Sequence, residues 1–114
     1  MLLGKAELLQ RPPLTTEDLE VPEFCGTVRL RQWTGDDHDA FGRAVHDIKF
    51  DGAMYAAALA VSAVDENGNR LFDTNGDIAA IAKAWPKTAL ERVWSVVQRM
   101  NHVGTAGIES AEKN

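Results

Sequence analysis

Between Val21 and Phe41 the apolar spacing of this chain changes period, and that change limits the folds open to it. In VPEFCGTVRLRQWTGDDHDAF, Val28 and Leu30 alternate with Arg29 and Arg31 within Thr27–Trp33, the period of two that marks a half-buried strand. Pro22 precedes this run and Gly26 supplies a turn, so the segment reads as a tight β-hairpin. Thr34-Gly35-Asp36-Asp37 then offers turn and N-cap residues. Beyond it Phe41, Ala44, Val45 and Ile48 fall on one face of a helix. Asp36, Asp37 and Asp39 sit in its first turn, where carboxylates meet the positive end of the helix dipole. A hairpin feeding a helix predicts an α+β fold.

The rest of the chain adds helices. Ala53–Val64 is apolar and rich in alanine, with Met54, Ala57, Ala58 and Val61 on one stripe and Ala56, Ala60 and Ala63 on a smooth neighbouring one. Asp65–Phe72 contains Asn67-Gly68, a strong reversal signal. A helix followed by a loop is the preferred reading there, over a short hairpin of Ala60–Val64 with Arg70–Phe72. Asp77–Trp85 is a short helix, Pro86 breaks it and opens the next, and Lys87–His102 carries Leu90, Val93, Trp94, Val97 and Met100 at helical spacing. The predicted fold is therefore α+β, mainly α: an N-terminal β-hairpin followed by a small bundle of about four helices. Residues 1–20, with Pro12-Pro13, are expected to form a flexible or extended arm, 21–104 one globular domain, and 105–114 a frayed tail.

Composition narrows the class of function. A net charge of −5 over 114 residues disfavours non-specific nucleic-acid binding, which needs clustered Lys and Arg. The single cysteine, Cys25, allows no internal disulfide and suits a reducing compartment. MLLGKAELLQRPP lacks the pattern of a signal peptide, and the apolar run Ala53–Val64 is too short to span a bilayer, so neither membrane nor export is expected.

No catalytic constellation emerges. Four consecutive helical residues, Asp36-Asp37-His38-Asp39, point about 100° apart and do not converge on one ion. A calcium loop begun at Asp73 would need glycine where Ile78 stands and glutamate where Ala84 stands. Cys25 has no sequence-local activating group, and neither GxGxxG nor GK[ST] is present. Trp33, Trp85 and Trp94 lie on separate elements and suit core or interface anchoring. No metal, cofactor or enzyme activity is expected, and a binding or assembly role is favoured.

Three blocks together resemble the tail assembly chaperones of long-tailed, siphovirus-type bacteriophages and prophages: VPEFCGTVRLRQWTGDDHDAFGRAV, ALAVSAVDENGNRLFDTNGDIAAIA and KTALERVWSVVQRMNHVG. The matching positions are Val21-Pro22-Glu23, Gly26-Thr27-Val28-Arg29, Thr34-Gly35 and Phe41 in the first block. They are Asp65, Gly68 and Arg70-Leu71-Phe72 in the second, and Leu90, Arg92-Val93-Trp94 and Met100-Asn101 in the third. The resemblance spans residues 18–104 and rests on the order and spacing of the blocks. Trp33, His38 and Trp85-Pro86 depart from the family pattern.

The resemblance implies a non-catalytic protein of the host bacterial cytoplasm, absent from the mature virion. Such a protein coats the tape measure protein, keeps it soluble and recruits major tail tube subunits. It also implies self-association into an open helical or spiral oligomer, which needs two different patches on each copy. Phe24 and Trp33 on the hairpin side, and the Ala56/Ala60 stripe, are the candidate contacts; each taken singly also fits burial within the monomer. The family's habit of making a longer, frameshifted form fits Glu112-Lys113-Asn114, which a slippery A-AAA-AAC run can encode. Competing readings are a small head–tail connector or completion protein of the virion, a metal-dependent or thiol enzyme using His38, His46 or Cys25, and an acidic nucleic-acid mimic.

Overall fold

The computed structural model describes residues 1–10, 13–47, 53–74 and 76–102. The elements run α1 (Lys5–Leu9), β1 (Thr16–Val21), a 3-10 turn (Pro22–Phe24), β2 (Gly26–Arg31), α2 (Gly35–Asp47), α3 (Ala53–Ser62), β3 (Ala63–Val64), α4 (Ile78–Ala84) and α5 (Lys87–Asn101). The architecture is α+β, with one antiparallel sheet in the order β1-β2-β3.

The hairpin is present, but its first strand lies further upstream than the sequence suggests. Residues 16–20, expected in the arm, belong to β1, which pairs with β2 from Thr16↔Arg31 to Val21↔Gly26. Gly26 is the first residue of β2, and the turn falls to Pro22–Phe24 and Cys25. Cys25 closes it in the left-handed region (φ 54°), its N–H donating to the Pro22 carbonyl at 3.0 Å. Val28 and Leu30 share the inward face with Leu19 and Val21, whereas Asp18 and Arg29 pair on the outward face at 2.7 Å.

Helix α3 is the centre of the molecule. Ala56 to Val64 are all buried, and α3 packs against α2, α4, α5 and β2. An element surrounded on every side is apolar all round, which explains why Ala53–Val64 shows no single hydrophobic stripe. The alanines let neighbouring helices approach closely, and the core is completed by Leu30, Leu59, Ile78, Ile81, Leu90, Val93 and Val97. The chain leaves α3 directly into β3, where Leu30↔Ala63 and Arg29↔Val64 join it to β2. Val64 also bridges Arg70, and the Leu71 N–H donates to the Ala63 carbonyl at 3.1 Å. The short hairpin ranked second from sequence is therefore formed over Ala63–Leu71, replacing the preferred helix-then-loop. Gly68 takes φ +84° at its tip, a conformation that glycine adopts without steric cost.

Trp85-Pro86 separates α4 from α5 as expected, with Pro86 at the N-cap of α5. Asp77 stands at the N-cap of α4, yet its carboxylate turns back to accept the Asp73 N–H at 2.7 Å. Ion pairs fasten the hairpin to α5: Arg99 to Glu17 at 2.7 Å, and Arg92 to Glu23. Ile48 and the tail from residue 105, read above as helix and frayed end, lie outside the described residues. No helix among the described residues is long and apolar enough to cross a membrane.

Candidate interaction surfaces

The residues singled out from sequence separate into interior anchors and true surface. Asp37 is the clearest case. Its spacing from Thr34 is that of a capping box: the Thr34 N–H donates to the Asp37 carboxylate at 2.9 Å, and the Asp37 N–H donates to Thr34 Oγ1 at 3.2 Å. The side chain is only 3% exposed and also accepts from Arg31 at 3.0 Å and from Arg70. Arg31 in turn donates to the Gly68 carbonyl at 2.7 Å. Burial disfavours the Asp37 charge, but the Thr34 N–H and the two guanidiniums outweigh it and hold the carboxyl below its ordinary range. Thr34 and Arg70, which the resemblance placed in separate blocks, thus meet at one buried carboxylate. The cluster pins the Asp65–Phe72 reversal to the junction of β2 and α2. Asp36, His38 and Asp39 point to solvent instead.

Trp33 is half-buried and committed within the monomer. Its indole N–H donates to Ser62 Oγ at 2.7 Å and its backbone N–H to Asn101 Oδ1 at 2.7 Å. Its ring lies 5.0 Å from Phe41, which stacks on Trp94 at 5.9 Å. Ala56 and Ala60 are 0% exposed, so the alanine stripe is core and not a face offered to a second copy. This corrects the proposed contact at Ala56 and Ala60: small side chains here admit neighbouring helices of the same molecule. Phe24 alone among the four stays on the surface, half-exposed at the hairpin turn and tilted against Trp85 at 4.7 Å.

Two surface features carry no clear sequence signal. Helix α1 buries none of its residues, and Leu2, Leu3, Leu8 and Leu9 around it are all exposed. Beside the outward Asp18–Arg29 pair, the half-exposed Leu71, with Val28 and the buried Val64, lines a groove of about 300 Å³. Thr27, Arg29, Asp18, Asp65 and Glu66 complete it. The groove exists only because the Ala63–Leu71 reversal brings Leu71 over β2. The Thr34-x-x-Asp37 spacing did offer a signal for the buried carboxylate, but three acidic or imidazole neighbours obscured it.

Cys25 is exposed, and among the described residues no three His, Cys, Asp or Glu side chains gather as a metal site. What the surface presents is apolar and charged contact area.

No protein-family model matches the chain. No curated protein matches it in sequence either. In three dimensions it is similar to the tail assembly chaperone of bacteriophage HK97, with a TM-score of 0.59 and 12% sequence identity. The likeness covers 89% of this chain and 94% of that one. The chain has the fold of a phage tail assembly chaperone.

Proposed function

We propose that this chain is a non-catalytic tail assembly chaperone that coats the tape measure protein, keeps it soluble and recruits tail tube subunits during polymerisation. The observation that carries the reading is the shared fold over nearly the full length of both chains. The ordered blocks support it independently: the Asp65–Phe72 block builds a reversal that meets the Thr34–Asp37 block at a shared ion-pair cluster. The protein acts in the host cytoplasm, self-associates, and leaves before the virion is complete. A long helical protein presents repeated apolar stripes, and many small copies with exposed apolar side chains can cover them.

Co-expression with the protein encoded immediately downstream tests this. The expected result is a large helical protein that becomes soluble and co-elutes with many copies of this chain. A downstream product that still precipitates beside a lone monomer refutes it. Mass spectrometry of finished particles separates the reading from a connector, which would remain in them.

A further inference from the structure

We infer that Asn67 is a site of spontaneous deamidation, and that the Arg31–Asp37–Arg70 cluster sets the rate at which it is modified. The inference concerns the chain's own covalent chemistry and stands apart from the chaperone reading.

Asn67-Gly68 is the reversal signal of the sequence, and the fold puts it at the tip of the Ala63–Leu71 hairpin. Asn67 is exposed, and among the described residues nothing bonds its side-chain amide. Gly68 brings no Cβ to hinder attack by its backbone nitrogen, and a Cβ built there would meet no atom within 4 Å, so the space over the turn is open. The reaction needs only water. The Gly68 nitrogen loses its proton to solvent base and bonds to Asn67 Cγ. The Cγ–NH2 bond breaks, and the amide nitrogen takes up a proton and leaves as ammonia. Water then opens the cyclic imide at either carbonyl, giving aspartate or iso-aspartate, and nothing is oxidised or reduced.

The folded turn holds this nitrogen back. The Gly68 N–H donates to the Asp65 carbonyl at 3.0 Å, closing a β-turn, and the Asp65 N–H donates to the Asn69 carbonyl at 2.8 Å. Asp65 Oδ1 accepts the Asn67 and Asn69 N–H groups at 2.8 and 3.0 Å. Arg31 fixes the Gly68 carbonyl at 2.7 Å, and Arg70, next after Asn69, is tied to Asp37. Attack waits for the turn to open, and the contacts that close a segment set how often it opens. The two guanidiniums that pin the reversal are therefore the brake on Asn67. Iso-aspartate routes the main chain through the former side chain and lengthens it by one carbon at the tip. The Gly68 carbonyl then leaves the place that Arg31 reaches, so the modification weakens the cluster that delayed it.

The full chain, held at mildly alkaline pH and sampled over days, tests the proposal. Fragment-ion mass spectrometry follows Asn67 separately from Asn75-Gly76, the other Asn-Gly pair. Labelling by an isoaspartyl methyltransferase identifies the product. Folded wild type is expected to convert Asn67 more slowly than the urea-unfolded chain. Arg70→Met is expected to convert about fivefold faster than wild type when folded, and at the same rate when unfolded. Asp65→Ala removes only the side-chain acceptor of two turn N–H groups and is also expected to convert faster when folded, which guards against misfolding of Arg70→Met. Asn67→Gln is expected to stay unmodified at that position. Aged wild type enriched in iso-aspartate is expected to melt below the fresh protein. A folded chain that keeps its Asn67 amide while the unfolded chain loses it would overturn the site. Equal rates in the folded and unfolded chain, or folded variants that convert no faster than wild type, would overturn the brake.

Discussion

Asp37→Asn tests the packing of this fold most directly. The asparagine keeps the shape and still accepts the Thr34 N–H, so the helix cap survives. Its NH2 group, however, takes the place of Oδ1 and faces the Arg70 guanidinium donor to donor. Arg31 is 11% exposed and keeps only neutral acceptors, the amide oxygen and the Gly68 carbonyl, so the loss of its counter-charge costs about 2 kcal/mol. The Arg70 side chain is 30% exposed and relaxes towards water, so about 1 kcal/mol is appropriate there. The total of about 3 kcal/mol lies at the lower end of the range for orphaning a buried charge. It is a large part of the stability of a domain this size and should lower Tm by about 12 °C. Urea denaturation of both proteins measures it.

A pH series adds a sign that a mere packing defect lacks. The folded Asp37 carboxyl is held below its unfolded value, so its contribution is complete above the ordinary carboxylate range. It is lost as pH falls through the folded value. The gap between wild type and Asp37→Asn should be constant near neutrality and begin to close below about pH 4. Arg70→Met should cost about 1 kcal/mol alone and almost nothing in the Asp37→Asn background. Equal urea midpoints for the first pair, or a gap indifferent to pH, would refute the account of Asp37 as the charge that holds this junction.

Three further substitutions probe other parts of the argument. Ser62→Ala leaves the Trp33 indole N–H without its 2.7 Å acceptor and should cost about 1 kcal/mol by denaturant titration, with a change in tryptophan emission. Gly68→Ala meets no neighbouring atom within 4 Å but must hold φ +84°, so about 1 kcal/mol of backbone cost is expected, read from thermal melts. Ala60→Arg forces a cation into a site with no exposure and should abolish the cooperative unfolding transition; a soluble, folded monomer would restore the alanine stripe as a surface.

What could be read from the sequence follows from how local each cause is. The Val28/Leu30 alternation, the Thr34–Asp37 cap and the stops at Pro86 are local chemistry, and β2, α2 and α5 lie close to their predicted places. Strand β1 was hidden because its inward face includes Glu17, whose charge is answered by Arg99 from the other end of the chain. A charged residue at an apolar position erases the period of two. Strand β3 was hidden because Ala63 and Val64 continue an unbroken apolar helix pattern, and only pairing with Arg29 and Leu30 makes them a strand. Ala56 and Ala60 were ambiguous because small residues serve a subunit contact and an interior helix equally well. Helix α1 was hidden within the expected flexible or extended arm, since Leu2, Leu3, Leu8 and Leu9 show no helical period across Gly4.

The ties from Glu17 and Glu23 to α5 also set a timetable. The hairpin is translated early, but the helix that answers its two carboxylates comes near the end of the described chain. At ribosomal speeds of about 5–20 residues per second, the hairpin waits about 4–14 s for α5. During that interval Trp33 also lacks Asn101, and α3 lacks one of the helices that cover it. The newborn chain therefore passes through seconds in which its alanine-rich centre is open to water, and closes in one late step when α5 arrives. A protein proposed to shield another from aggregation thus has its own vulnerable period, and it ends only when α5 has been made.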